Sequence, residues 1–137
     1  MPLTPDIAQV MITASQNKAR ELGVSVATAI VDAEGRLFAF ARMLGTHWLS
    51  VEAAQAKAFT GALLREDGEK LDRIEPAILA ALSAMQDRAI LPMRSVTVLR
   101  EEGRVIAGIG CSGIGSEGAS DEDDGECARA ARDAYLR

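Results

Sequence analysis

Aromatic side chains are scarce: three Phe, one Tyr and one Trp make up 4% of the 137 residues. Bulky rings cannot fill such a core, so with alanine recurring throughout, its density must come from close approach of helices and strands. A thin core of this kind leans on subunit contacts, which predicts a homo-oligomer. Positive charge is short as well, with 15 Lys and Arg against 20 Asp and Glu for a net charge of −5. Nucleic-acid affinity comes largely from basic side chains neutralising phosphates, so DNA and RNA are excluded as expected partners. The single histidine, His47, rules out a multi-histidine metal centre but leaves a Ser-His-Asp triad open. The two cysteines, Cys111 and Cys127, fit neither a zinc nor a redox-motif spacing and read as buried structural thiols in a reducing cytoplasm. No run approaches the ~18 apolar residues that span a bilayer, and no basic segment leads into an apolar stretch at the N-terminus. The expectation is therefore a cytoplasmic protein without a membrane partner, starting near Met1.

What is present suits a single domain, 1–137: a 48% hydrophobic chain that buries roughly two thirds of its unfolded surface. Thr4-Pro5-Asp6 supplies a cap, a proline at the first helical position and an acid, and Ile7, Met11, Ala14 and Leu22 follow at near-helical spacing up to Gly23. Val24–Val31 and Leu37–Arg42 read as a hairpin around Ala33-Glu34-Gly35-Arg36. Ser50 is the expected cap of a second helix with an alanine-lined face (Val51, Ala54, Ala58, Ala62, Leu63), ending near Arg65. A charged connection, Glu66–Asp72, precedes a third helix opened by Pro76. Ser95–Arg100 and Arg104–Cys111 form a second hairpin around Glu101-Glu102-Gly103, and Ser120 with Asp123 resembles a capping box at the start of the last helix. The order αββααββα predicts an α+β fold, an antiparallel sheet of two hairpins packed by helices.

Gly108-Ile109-Gly110-Cys111-Ser112-Gly113 has the letters of a dinucleotide fingerprint, yet it ends a hairpin strand and leads to Asp121, Glu122, Asp123 and Asp124, which would repel a pyrophosphate. Gly108 and Gly110 read better as a close backbone contact with a ligand or helix. The acids complement the positive end of the last helix, and Arg132 stands where a calcium loop needs glutamate, so no metal is expected. Lys57 and Thr60 are three apart and share a face among alanines. Either Lys57 grips the carboxylate or propionate of an anionic ligand, with Arg42 as partner, or it snorkels over an alanine surface. His47, beside Trp48, is a candidate to ligate haem iron or stack on a planar ligand, against the alternative of a loop histidine with neither role.

Ala29-Ile30-Val31-Asp32-Ala33-Glu34-Gly35-Arg36-Leu37, Ala41-Arg42-Met43, Ala56-Lys57-Ala58-Phe59-Thr60-Gly61-Ala62, the Gly108–Gly113 run and Asp123-Asp124-Gly125-Glu126-Cys127-Ala128 together resemble the GlcG/HbpS-like family, which includes the C-terminal domain of PduO-type corrinoid adenosyltransferases. The resemblance implies a profilin-like fold, homo-oligomers and, for some members, haem or a related tetrapyrrole as ligand. It places Asp32, Arg42, Lys57, Thr60 and Gly113 at recurrent polar and glycine positions, and carries no haem-ligand motif to His47. The segment Gln86-Asp87-Arg88-Ala89-Ile90-Leu91-Pro92-Met93-Arg94 departs from the family's glycine-rich pattern, implying a remodelled pocket wall. Two functions follow. One is a small-molecule-binding protein for haem or a related tetrapyrrole. The other is a catabolic enzyme acting on a small carboxylate by proton transfer, deamination or hydrolysis, with Lys57 or Asp32 as acid or base and Arg42 as anchor. A purely structural oligomer module is a third possibility. A long apolar slot would favour the first and a compact charged one the second.

Overall fold

The computed structural model describes residues 2–114 and 119–136; of the glycine-rich and acidic stretch 110–125, residues 115–118 lie outside them, as do Met1 and Arg137. Thr4 caps α1 (Pro5–Leu22), its hydroxyl accepting the Ile7 N–H at 3.2 Å, and Gly23 ends the helix with a left-handed φ of 74°. Val24 then donates to the Ala19 carbonyl at 2.9 Å, so its amide belongs to the helix end. For that reason β1 (Ala27–Asp32) starts later than the apolar run suggests. It pairs with β2 (Leu37–Arg42), and β3 (Thr97–Glu101) pairs with β4 (Arg104–Ser112). The two hairpins join through β1 and β4 into one antiparallel sheet of order β2-β1-β4-β3. The β3–β4 turn has positive φ at both Glu102 (53°) and Gly103 (79°), as a tight two-residue hairpin requires.

The second helix, α2 (Leu49–Leu64), is not capped by Ser50, which lies inside it. Trp48 is already helical (φ −59°, ψ −32°), and His47 supplies the acceptors instead: its carbonyl takes the Ser50 N–H and its Nδ1 takes the Leu49 N–H, both at 3.0 Å. The charged connection is a 3-10 helix, Gly68–Arg73, seated on the chain entering β3 by a bond from Gly68 N–H to the Val96 carbonyl at 2.8 Å. Helix α3 (Pro76–Gln86) follows and buries none of its residues. The capping box of α4 (Asp121–Tyr135) forms as expected: Ser120 Oγ accepts the Asp123 N–H at 3.0 Å and Asp123 Oδ2 accepts the Ser120 N–H at 3.2 Å.

Alternation along the strands divides the core. Ile30, Leu99, Ala107, Ile109 and Cys111 face α1 and α4, while Ala27, Ala29 and Val31 face Ala54, Ala58 and Ala62 of α2. On the α2 side the helix rests on bare backbone. A Cβ on Gly108 would collide with the Ala58 carbonyl, and one on Gly110 with the Ala54 carbonyl. The alanines of α2 and the glycines of β4 thus form one contact, the close approach that a ring-poor core requires. On the other face a hydroxyl chain ties α1 to the sheet: Ser15 Oγ donates to the Ile12 carbonyl at 2.6 Å and lies 2.8 Å from Thr28 Oγ1, which lies 3.3 Å from Cys111 Sγ. Both cysteines are free and buried, and burial pushes both thiols up to about 12, so neither is a thiolate near neutral pH. None of the described helices is long and apolar enough to cross a membrane.

Gly110→Ala forces α2 off the sheet against backbone that cannot yield, so a loss of about 3 kcal/mol is expected. Thermal unfolding should show the midpoint falling by roughly 10 °C, and an unchanged midpoint would contradict this seating of the helix.

Candidate functional site

With α2 pressed onto β4, Lys57 has no route to water and is 1% exposed. Its Nζ donates to the Cys111 carbonyl at 3.0 Å and to Asp124 Oδ2 at 2.9 Å, and lies 3.5 Å from Asp121 Oδ1. The surface-snorkelling alternative is therefore overturned, because the ammonium points inward. Two acceptors take its N–H groups, and the Asp121 carboxylate adds a second negative charge at ion-pair distance. Burial drives the Asp124 carboxyl above the ordinary aspartate range, while the Lys57 ammonium and the Gly113 N–H act against that rise. The acids opening α4 divide their tasks: Asp123 closes the capping box, while Asp121 and Asp124 neutralise Lys57.

Ala27 pairs with Arg42 on one side and Ser112 on the other, so the ends of β2 and β4 stand level across the start of β1. Arg42 leads into the loop that carries His47, and Ser112 into Gly113. The sheet thus brings Arg42, His47, Gly113 and the Lys57 ion cluster to one end. Arg42 is exposed and donates to the Thr46 carbonyl at 3.4 Å. His47 is exposed too, its ring 5.0 Å from that of Trp48 at a tilt of 33°. Leu44 (99% exposed) and Trp48 (66%) complete an apolar outer face on this loop.

Asp32 is not part of this assembly. It closes β1 at the opposite end, five steps of about 3.4 Å from Ala27, and ties the β1–β2 turn by accepting the Glu34 and Arg36 amides at 2.9 and 3.0 Å. Thr60 shares a helix with Lys57 but looks elsewhere: its Oγ1 donates to the Ala56 carbonyl at 2.7 Å and accepts the Leu91 N–H at 2.8 Å. It fastens the unusual 86–94 segment to α2, helped by Arg88, whose guanidinium lies 3.6 Å over the Phe59 ring and donates to the Gly35 carbonyl at 2.8 Å.

Three further residues at the Arg42 end were not read from the sequence as site residues, Ser50 having been read only as a helix cap. Thr46 Oγ1, Ser50 Oγ and Ser112 Oγ are buried hydroxyls without a hydrogen-bond partner among the described residues. Ala58 lies over Gly108 and Ala54 over Gly110, and the same stepping carries Ser50 toward Ser112. The signal was in the sequence as two matched spacings, 50/54/58 on the helix against 112/110/108 on the strand. Buried hydroxyls without partners are costly and uncommon, so three at one end mark it as a place for polar contacts.

The HbpS-like family, described as haem degrading protein HbpS-like, matches residues 3–133. The chain belongs to this family. Among solved structures, PduOC in its complex with haem is 27% identical, with 98% of this chain and 95% of that one covered at a TM-score of 0.83. Klebsiella pneumoniae ORFY is 25% identical over 98% of this chain and 90% of its own, with a TM-score of 0.84. A double mutant of Streptomyces reticuli HbpS is 26% identical over 97% and 86%, with a TM-score of 0.79. No curated protein matches at a significant level. The resemblance carried by the sequence segments therefore holds over nearly the whole chain, and these HbpS-like neighbours share the α+β fold.

Removing the Lys57 charge strands Asp124 in the interior. Lys57→Met should cost about 3–5 kcal/mol at neutral pH. Asp124 has a raised folded-state pKa, so the native protein holds its proton more tightly than the unfolded chain does; stability linked to it is present at low pH and lost as pH rises through that value. Without Lys57 the rise is larger, so the gap between Lys57→Met and the parent should narrow as pH falls through the carboxylate range. Urea unfolding across pH measures this; a gap that is constant or widens in acid would contradict the pairing.

Proposed function

We propose that the protein binds a small anionic planar ligand of the haem type on the outer face built by Arg42, Leu44, His47 and Trp48. The likeness to PduOC, whose structure is a haem complex, carries the reading, and it extends over 98% of this chain. The face offers fitting chemistry: apolar side chains for a macrocycle, a guanidinium for a propionate, and an imidazole beside them. In the arrangement seen, His47 Nδ1 accepts the Leu49 N–H at 3.0 Å, which puts the proton of the neutral ring on Nε2. Ligating a metal through Nε2 therefore moves that proton and gives up the bond to Leu49. Lys57 and Gly113 contribute as supports of this end of the sheet, while Thr60 acts on the 86–94 segment instead. Two free buried thiols fit a reducing cytoplasm as its location.

The second reading, an enzyme for a small carboxylate, is favoured by the lining of the cavities. One of about 490 Å³ between α1 and α4 carries Lys18, Glu21, Glu126, Arg129 and Asp133 rather than an apolar slot. Against it, the two acid–base candidates, Lys57 and Asp32, sit apart and are both engaged in holding the fold.

Self-association belongs to the same proposal. Helix α3 has no charged side chain and leaves Ile78 50% and Met85 76% exposed, an apolar surface that a second copy of the chain would cover. Light scattering should give a multiple of the 14.5 kDa chain mass, reduced by Ile78→Asp; a monomer mass at micromolar concentration would overturn it.

Titration with haem should produce a shifted Soret band that saturates, and His47→Ala or Arg42→Met should each weaken binding about tenfold. No Soret change, or equal affinity in both variants, rejects the proposed face, and the former moves weight to the small carboxylate.

A further inference from the structure

We propose that a second site, separate from the loop at the Arg42 end, lies in the cleft between the 3-10 helix Gly68–Arg73, the chain entering β3 and the first half of α4, and that it takes a small zwitterion with one carboxylate and one ammonium, the chemistry of a free α-amino acid. Two adjoining cavities of about 360 and 340 Å³ share Glu69, Arg94 and Arg129 and make one continuous cleft. Ser95 lines it; the residue is 1% exposed and its Oγ has no hydrogen-bond partner among the described residues. An unpaired buried hydroxyl in the wall of open volume is costly, and a polar ligand that reached it would relieve that cost. Gly125 packs directly beside Ser95. A Cβ there would lie 2.9 Å from Arg129 Nη1 and 3.4 Å from Ser95 Cα, so the glycine lets the Arg129 guanidinium fold back beside Ser95.

The charges around the cleft identify the class of ligand. Arg94 is paired with Asp72 at 3.1 Å, Arg132 lies 3.8 Å from Asp67, and Asp121 lies 3.5 Å from Lys57. Arg129, Glu69 and Glu122 have no ion-pair partner among the described residues. A simple anion would be attracted by Arg129 and repelled by two carboxylates, and a simple cation would meet the reverse. A molecule with both charges answers both, its carboxylate on the Arg129 guanidinium, its ammonium toward Glu69 and Glu122, and Ser95 Oγ hydrogen bonding to either.

The test is amide NMR of the full chain with L-alanine and L-glutamate as zwitterions, propionate as the carboxylate alone and ethylamine as the cation alone. Saturable shifts centred on Ser95, Gly125 and Arg129 are expected with at least one amino acid, with propionate and ethylamine binding at least about tenfold more weakly. Arg129→Met, on an exposed helix position, should abolish the shifts while leaving the melting midpoint unchanged, and Ser95→Ala should weaken them. Propionate binding as tightly as the amino acids would overturn the zwitterion assignment. Absence of saturable shifts with both amino acids, or shifts that survive Arg129→Met unaltered, would overturn the site.

Discussion

The seating of α2 directly on the backbone of β4 is the constraint from which the rest of the structure follows. Ala54 and Ala58 meet Gly110 and Gly108 with no side chain between them. Such a contact has high packing density without large residues, which is how a chain with so few aromatic rings closes a core. It also traps Lys57, whose stem leaves the helix beside Gly110. An unpaired interior ammonium would be prohibitive, so the opposite charge has to arrive from elsewhere in the chain. It comes from the acidic opening of α4, and the capping box holds that helix start in register so that Asp121 and Asp124 point at Lys57.

The same contact separates the two ends of the molecule. Toward the start of α2 the helix and β4 end in hydroxyls, Ser50 and Ser112, with the loop of Arg42, His47 and Trp48 outside them. Toward the other end, Asp32, Thr60 and Arg88 are consumed in tying turns and the 86–94 segment together. Exposed polar and aromatic side chains stand at the first end, and side chains engaged in the fold at the second. The cleft above Ser95 is a third region, set apart from both because its walls come from the 3-10 helix and the outward side of α4.

Features decided within a few residues were legible from sequence. Thr4-Pro5, Gly23, Glu102-Gly103 and the Ser120–Asp123 box all act over one turn, and each forms as read. Gly108 and Gly110 were legible as a close approach because glycine weakens a strand unless something needs the space. What escaped depends on distant chain. Lys57 and Asp124 are 67 residues apart, so the letters could place a lysine among alanines but not say what met its charge. Ser50 resembles a cap, yet His47 supplies the acceptors one turn earlier, an arrangement that depends on where the loop from Arg42 lets the chain turn. The 3-10 helix forms on a charged stretch because Gly68 fits against the Met93 carbonyl, a contact across the fold rather than a local preference.

Scarcity of rings has a last consequence for where function can sit. The two faces of the sheet are filled mainly by alanine, valine, isoleucine and glycine in direct contact, while Trp48 and Leu44 on the loop, Met85 and Ile78 on α3, and Leu37 and Phe38 on β2 stay exposed. A planar apolar ligand cannot enter a core packed this closely, so it must use external surface, and so must a second subunit. Water exclusion around such a ligand then comes from whatever covers the exposed face. On the proposed reading the two needs fall on separate surfaces, the ligand on the loop face of Leu44 and Trp48 and a second copy on the α3 face of Ile78 and Met85, because the closely packed interior has room for neither.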